Sequence, residues 1–112
     1  MKKLEIIIKA EKLEELKQIL DSNGSNGVMI SNVMGYGNQK GHQRLYRGAE
    51  YNVNLLPKVR VETIVTAEEA EPLIEAVVKE INTGNYGDGK IFVYDVQDAV
   101  RIRTGERGTE AL

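Results

Sequence analysis

The glycines at positions 84, 87 and 89, within Thr83-Gly84-Asn85-Tyr86-Gly87-Asp88-Gly89-Lys90, give this 112-residue chain its first chemical signal. Glycine lets backbone N–H groups converge on an anion, and a lysine closing such a stretch adds a point charge. As a string, Gly84 to Lys90 fits the opening of a GxxxxGK phosphate loop. Ile91 stands where that motif needs a Mg2+-binding Ser or Thr, and a strand-like run follows where a phosphate-facing helix should begin, so the P-loop reading fails. An anion-binding turn and an ordinary glycine-rich connection both stay open. Arg101-Ile102-Arg103 favours the turn: in an extended segment the two guanidiniums point the same way and can grip a polyphosphate by charge-assisted bonds. A solvated basic edge is the alternative.

A second signal is the run from Gly37 to Asn54, which has neither helical nor strand periodicity and predicts a long structureless loop. Such loops inside small domains are generally functional or disordered. Arg44, Tyr46, Arg47 and Tyr51 are side chains that make strong contacts at interfaces, which favours a partner-binding loop over a tether. His42, the single histidine, reads as a solvated loop residue and is assigned no chemistry.

The elements that must position these residues come in two similar halves. Leu4, Ile6 and Ile8 alternate with Lys3, Glu5 and Lys9 in a strand, with Ile7 on the other face. Leu13, Leu16 and Leu20 mark an amphipathic helix that Asn23-Gly24 and Asn26-Gly27 end, and a strand over Val28–Met34 follows. The second half repeats this order. Val59, Val61, Thr63 and Val65 alternate with Lys58, Arg60, Glu62 and Ile64. Thr66 and Glu69 have capping-box spacing, and Ala70, Leu73, Ile74, Val77, Val78 and Ile81 form the clearest helical stripe, with Pro72 expected to remove a hydrogen bond or bend it. A strand over Ile91–Val96 closes the half. Strand–helix–strand twice over predicts an α+β, ferredoxin-like βαββαβ domain, an antiparallel sheet with both helices on one face. The uncovered face would carry Ile7, Ile64 and Met29. A half-apolar open sheet predicts contact with another subunit, the alternative being a partly wet surface.

Composition sets bounds. With no cysteine, 41% hydrophobic and 29% charged residues and a net charge of −2, disulfides, thiolate metal sites and disorder are out, and nothing pulls the chain towards nucleic acid. The strands also lack the paired aromatics of an RNA-binding sheet. One soluble, cytoplasmic domain over 1–112 is expected, with a partner loop at 37–55, a phosphate loop at 82–90 and a mixed-charge tail at 97–112.

Several long strings then resemble the PII nitrogen-regulatory signal proteins: Tyr36-Gly37-Asn38-Gln39-Lys40-Gly41-His42, Leu45-Tyr46-Arg47-Gly48-Ala49-Glu50-Tyr51, Gly87-Asp88-Gly89-Lys90-Ile91-Phe92 and Arg101-Ile102-Arg103-Thr104-Gly105-Glu106. The resemblance runs from Lys2 to the tail. It implies a homotrimer with ATP/ADP sites in the clefts between subunits. It places Gly35, Gly37, Asn38, Gly87, Asp88, Gly89, Lys90, Arg101 and Arg103 around the phosphates, and Ile7, Met29, Glu62, Thr63 and Ile64 at the adenine and ribose. Gln39 would help hold a Mg2+ ion between ATP and 2-oxoglutarate. Lys58 would pair the 2-oxoglutarate carboxylate, with Lys40, Gly41 and Gly87 closing on it. Arg47 would enter an ammonium transporter, and Tyr51 matches a tyrosine that is uridylylated or adenylylated in some relatives. The chain departs from the pattern in three places: Asn38 where a cation is usual, Met29 where a small hydroxyl residue is common, and Ala10-Glu11 in place of Pro-Phe.

The function implied is a non-catalytic sensor of nitrogen, carbon and energy status. It would bind ATP/ADP and 2-oxoglutarate and regulate an ammonium transporter or nitrogen-assimilation enzymes and regulators, meeting the membrane only through the transporter. The alternative is an enzyme hydrolysing ATP or an acyl phosphate, for which Glu62, Asp88 and Glu106 are candidate bases by proximity alone.

Overall fold

The computed structural model describes residues 1–25, 27–36, 42–46, 49–53 and 55–112, with the backbone alone over 42–46 and 49–53. The chain runs β1 (Lys2–Ile8), a 3-10 turn at Ala10–Lys12, α1 (Leu13–Ser22), β2 (Met29–Gly35), β3 (His42–Tyr46), β4 (Ala49–Val53), β5 (Leu56–Val65), α2 (Ala67–Ile81), β6 (Lys90–Asp95) and a 3-10 turn at Gly108–Ala111. Four strands form one sheet in the order β2-β5-β1-β6, every neighbouring pair antiparallel. With two helices on one face, this is the ferredoxin-like βαββαβ domain that the repeated halves predict.

Alternation sorts the side chains. Leu4, Ile6 and Ile8 of β1 and Val59, Val61 and Val65 of β5 point to the helix face and are buried with Leu16, Ile19 and Leu20 of α1 and Ala70, Leu73, Val77 and Ile81 of α2. Filling this layer supplies most of the drive to fold, at about 25 cal/mol per Å2 of apolar surface removed from water. α2 starts in the expected capping box: the Glu69 N–H donates to the Thr66 hydroxyl at 3.2 Å and the Thr66 N–H to the Glu69 carboxylate at 3.2 Å. α1 is capped by Asn23, whose N–H donates to the Ile19 carbonyl at 3.1 Å, followed by Gly24 at φ +82. α2 runs through Pro72. Pro72 and Glu68 are both exposed, so water can serve the Glu68 carbonyl that the proline leaves without a donor.

Two expectations change. The run 37–54 is not structureless throughout: β3 and β4 pair antiparallel with His42 opposite Val53 and Tyr46 opposite Ala49, as a sheet separate from the main one. A ladder outside the main sheet has no layer forcing apolar residues onto alternate positions, so the sequence carried no period-two signal. Strand ends also shift by a residue. β2 is Met29–Gly35 and β6 ends at Asp95, although the Val96 N–H still donates to Met1 at 3.0 Å.

The uncovered sheet face carries Ile7 and Ile64 half-buried and Met29 at 70% exposure. Between them lies a polar web. Glu62 binds Lys3 at 3.4 Å and Arg60 at 3.2 Å, Arg60 also reaches Ser31 at 3.2 Å, and the Tyr94 hydroxyl donates to Glu5 at 3.1 Å. Lys3 sits 5.0 Å above the Tyr94 ring. No helix among the described residues is long and apolar enough to cross a membrane.

Candidate functional site

The glycine-rich turn between α2 and β6 is shaped by its own side chains. Asp88 accepts the Thr83 N–H at 2.7 Å, the Gly84 N–H at 3.1 Å and the Thr83 hydroxyl. These bonds, the Thr83 hydroxyl foremost, hold the Asp88 carboxyl below its ordinary value. Asp88 therefore folds back to close the loop. Gly84, Gly87 and Gly89 take φ values of +80, +90 and +113, a region L-residues rarely enter. At Gly89 space is decisive as well: a Cβ would stand 1.8 Å from the Ile7 carbonyl oxygen. The turn is thus seated on the end of β1, where Lys90 pairs with Ile7 to begin β6.

Cations gather on this seat. Lys58, Lys90 and Ile7 share the uncovered face by strand parity. Lys58 is 8% exposed, and its ammonium donates to the Gly87 carbonyl at 2.9 Å. Burial first, then the charge of Lys9, pushes the Lys58 pKa down, against a smaller pull from Asp88. A Cβ on Gly35 would touch the Lys58 stem at 3.4 Å, so Gly35 leaves room for the lysine to run under the loop. Lys9 adjoins both Lys58 and Asp88 electrostatically. The sequence reading used it only as a strand's polar partner, and the signal that could have found it is the register, which one step beyond Ile8–Val59 sets Lys9 across from Lys58. Lys90 is exposed and has no ion-pair partner among the described residues.

A second cluster lies further back along the sheet. Met29, Glu62, Thr63 and Ile64 line a recess of about 460 Å3 with Lys3, Gly27, Val28 and Leu112. Thr63 stands between Glu62 and Ile64 on the opposite face of β5 by strand parity. Its side chain is 2% exposed on the helix face, bonded to the Ser25 hydroxyl at 2.7 Å and donating to the Gly27 carbonyl at 2.9 Å. Glu62 already holds Lys3 and Arg60. Ile64 pairs with Lys3 while Lys90 pairs with Ile7, so the two clusters stand four residues apart along β1, about 13 Å.

Arg101 and Arg103 are not in the extended segment expected of them. Residues 102–104 form a turn in which the Gly105 N–H donates to the Arg101 carbonyl at 2.7 Å and the Arg101 N–H to the Glu106 carbonyl at 2.9 Å. Gly105, at φ +75, permits the reversal; in the sequence it stands out only within the string Arg101–Glu106. Arg101 is half-buried against Glu106 and Leu112, and Arg103 is exposed without an ion-pair partner among the described residues. Gly37, Asn38, Gln39, Lys40, Gly41 and Arg47 lie outside the described residues, and of Tyr51 only its place in β4, opposite Arg44, is described.

Comparison with known proteins places this arrangement. The family described as Nitrogen regulatory protein P-II matches residues 1–106. The chain is similar to the proteins named Nitrogen regulatory protein P-II of Pasteurella multocida, 51% identical over 112 residues, and of Rhizobium meliloti, 52% identical over 112, each match covering 100% of both chains. Among solved structures it resembles B. subtilis GlnK, with a TM-score of 0.81 and 38% identity over 99% of this chain and 97% of that one.

Proposed function

The chain belongs to the P-II family of nitrogen regulatory proteins, and from that premise we propose that it is a non-catalytic sensor that binds ATP or ADP together with 2-oxoglutarate. It hands the result to partner proteins through residues 37–55. The observation that carries this reading is the turn 83–90. Its carboxylate is engaged internally, Gly89 sits against β1, and Lys58, Lys90 and Lys9 lie beside it, a cationic setting in which the turn can meet an anion.

In that setting Lys90 takes the phosphates and Lys58, released from the Gly87 carbonyl, pairs a carboxylate of 2-oxoglutarate. The Met29–Ile64 recess takes the base, with Met29 giving apolar contact in place of a hydrogen bond. The glycine-rich turn and the Met29–Ile64 recess stand about 13 Å apart along β1 of one chain, which supports a homotrimer in which neighbouring copies each supply one half of a site. Mg2+ would arrive with the phosphates, its usual mode, with Gln39 as the protein ligand. Partners are an ammonium transporter or nitrogen-assimilation enzymes and regulators, reached from the cytoplasm through Arg47 and Tyr51, and Tyr51 is the position for uridylylation or adenylylation.

Regulation requires that the ligands bind two loop states with different affinity, and couplings of this kind amount to about 1–3 kcal/mol. Calorimetry of 2-oxoglutarate tests the proposal. Binding should be at least about five-fold tighter with Mg-ATP than with ADP. Equal affinity in the two would rule out the sensor.

A further inference from the structure

Arg101, one of the two arginines assigned to the phosphates, is already occupied by its own chain. Its Nη1 donates to the Glu106 carboxylate at 3.2 Å and its Nη2 to the Leu112 carbonyl at 2.9 Å. Glu106 is held in place by the Thr104 hydroxyl, which donates to the same carboxylate oxygen at 2.8 Å. The base of this turn is fixed by the pairing of Val100 with Arg107 and by the Arg107–Asp98 ion pair at 2.7 Å. The far end reaches the other half of the ligand geometry, because Leu112 lines the recess that also holds Met29, Glu62 and Ile64.

We propose that residues 101–112 are a self-inhibitory clasp: Glu106 and the Leu112 carbonyl hold the Arg101 guanidinium while Leu112 stands in the base recess, and an adenine nucleotide must displace both to bind. The inference rests on the nucleotide-binding reading above and goes beyond it, giving Glu106, Thr104 and Leu112 a role that opposes the ligand. The pair is built to exchange. The Arg101 and Glu106 side chains are 35% and 41% exposed, so their attraction is screened and weak, whereas a polyphosphate offers several charges to the same guanidinium. Exposed Arg103 is free to make the first contact.

The test is calorimetric titration of ATP at fixed ionic strength into the full chain, Glu106→Gln, Thr104→Val, Arg101→Gln and the Arg101→Gln/Glu106→Gln double variant. Glu106→Gln should tighten ATP by about two- to five-fold, the size expected for release of one half-exposed ion pair. Thr104→Val should shift affinity the same way by less. In the Arg101→Gln background the Glu106 change should have no effect, since Glu106 acts through Arg101. If Glu106→Gln binds no tighter, or gains equally without Arg101, the clasp is wrong while ATP binding by the full chain leaves the sensor reading standing. If no chain binds ATP, both fall.

Discussion

Replacing Gly89 with alanine strikes the contact that seats the glycine-rich turn on β1. The added Cβ would lie 1.8 Å from the Ile7 carbonyl oxygen and 2.9 Å from its carbon, at φ +113. Backbone cannot rotate aside as a side chain can, so the turn must withdraw by about 1.2 Å to reach even a tight 3.0 Å contact. The left-handed backbone adds about 1–2 kcal/mol for any residue with a Cβ, and the steric strain a similar amount. A destabilisation of about 2–4 kcal/mol follows, or a fall in melting temperature of roughly 8–16 °C in a domain of this size. The withdrawal also pulls Lys90 off its pairing with Ile7, so ATP affinity should drop by about ten-fold or more, the equivalent of about 1.4 kcal/mol. The assay is circular dichroism melting at matched protein concentration, since association would stabilise the folded chain, followed by ATP calorimetry well below the melting point. A variant that melts within about 2 °C of the parent and binds ATP equally well would refute the packing argument.

Three further outcomes follow from the same contacts. Thr66→Ala removes the hydroxyl that caps α2 and should cost about 1 kcal/mol, read as a melting shift of roughly 4 °C. Because the native Asp88 carboxyl titrates below its ordinary 3.8, its bonds to Thr83 and Gly84 stabilise the turn at every pH above that value and are lost as pH falls beneath it. Protection of the Thr83 and Gly84 amides, taken against their intrinsic exchange rate at each pH, should fall there, and protection unchanged through this window would contradict it. Lys58→Met should abolish 2-oxoglutarate binding while leaving ATP affinity within about two-fold, and since burial lowers the Lys58 pKa, 2-oxoglutarate should begin to weaken at a pH below the ordinary lysine range. A variant that keeps 2-oxoglutarate would remove Lys58 from the site.

What the sequence made legible was whatever a core imposes. Leu4, Ile6 and Ile8 must alternate and Ala70, Leu73, Val77 and Ile81 must recur at helical spacing because one face of each is buried, and the βαββαβ order follows. Thr66 and Glu69 announced a helix start because capping chemistry is local. The β3–β4 pair was illegible because a ladder apart from the main sheet needs no apolar period. The conformation of Arg101 was missed for a related reason: alternate arginines look extended in one dimension, and only Gly105 with Glu106 turns the chain back. Gly87 stands out in the glycine-rich turn and Lys58 and Gly35 come from the family resemblance, but their mutual contact is a tertiary fact set by sheet register, as is the proximity of Lys9.

The central claim is that the turn seated on β1, with Lys90, grips a nucleotide's phosphates. Amide and lysine side-chain NMR during an ATP titration tests it most directly. The account predicts saturable shifts concentrated at Gly87, Gly89 and Lys90, with Met29 and Ile64 following at the base recess and the helix-face core at Leu16 and Leu73 unmoved. Saturating ATP that leaves Gly87, Gly89 and Lys90 where they were would contradict it.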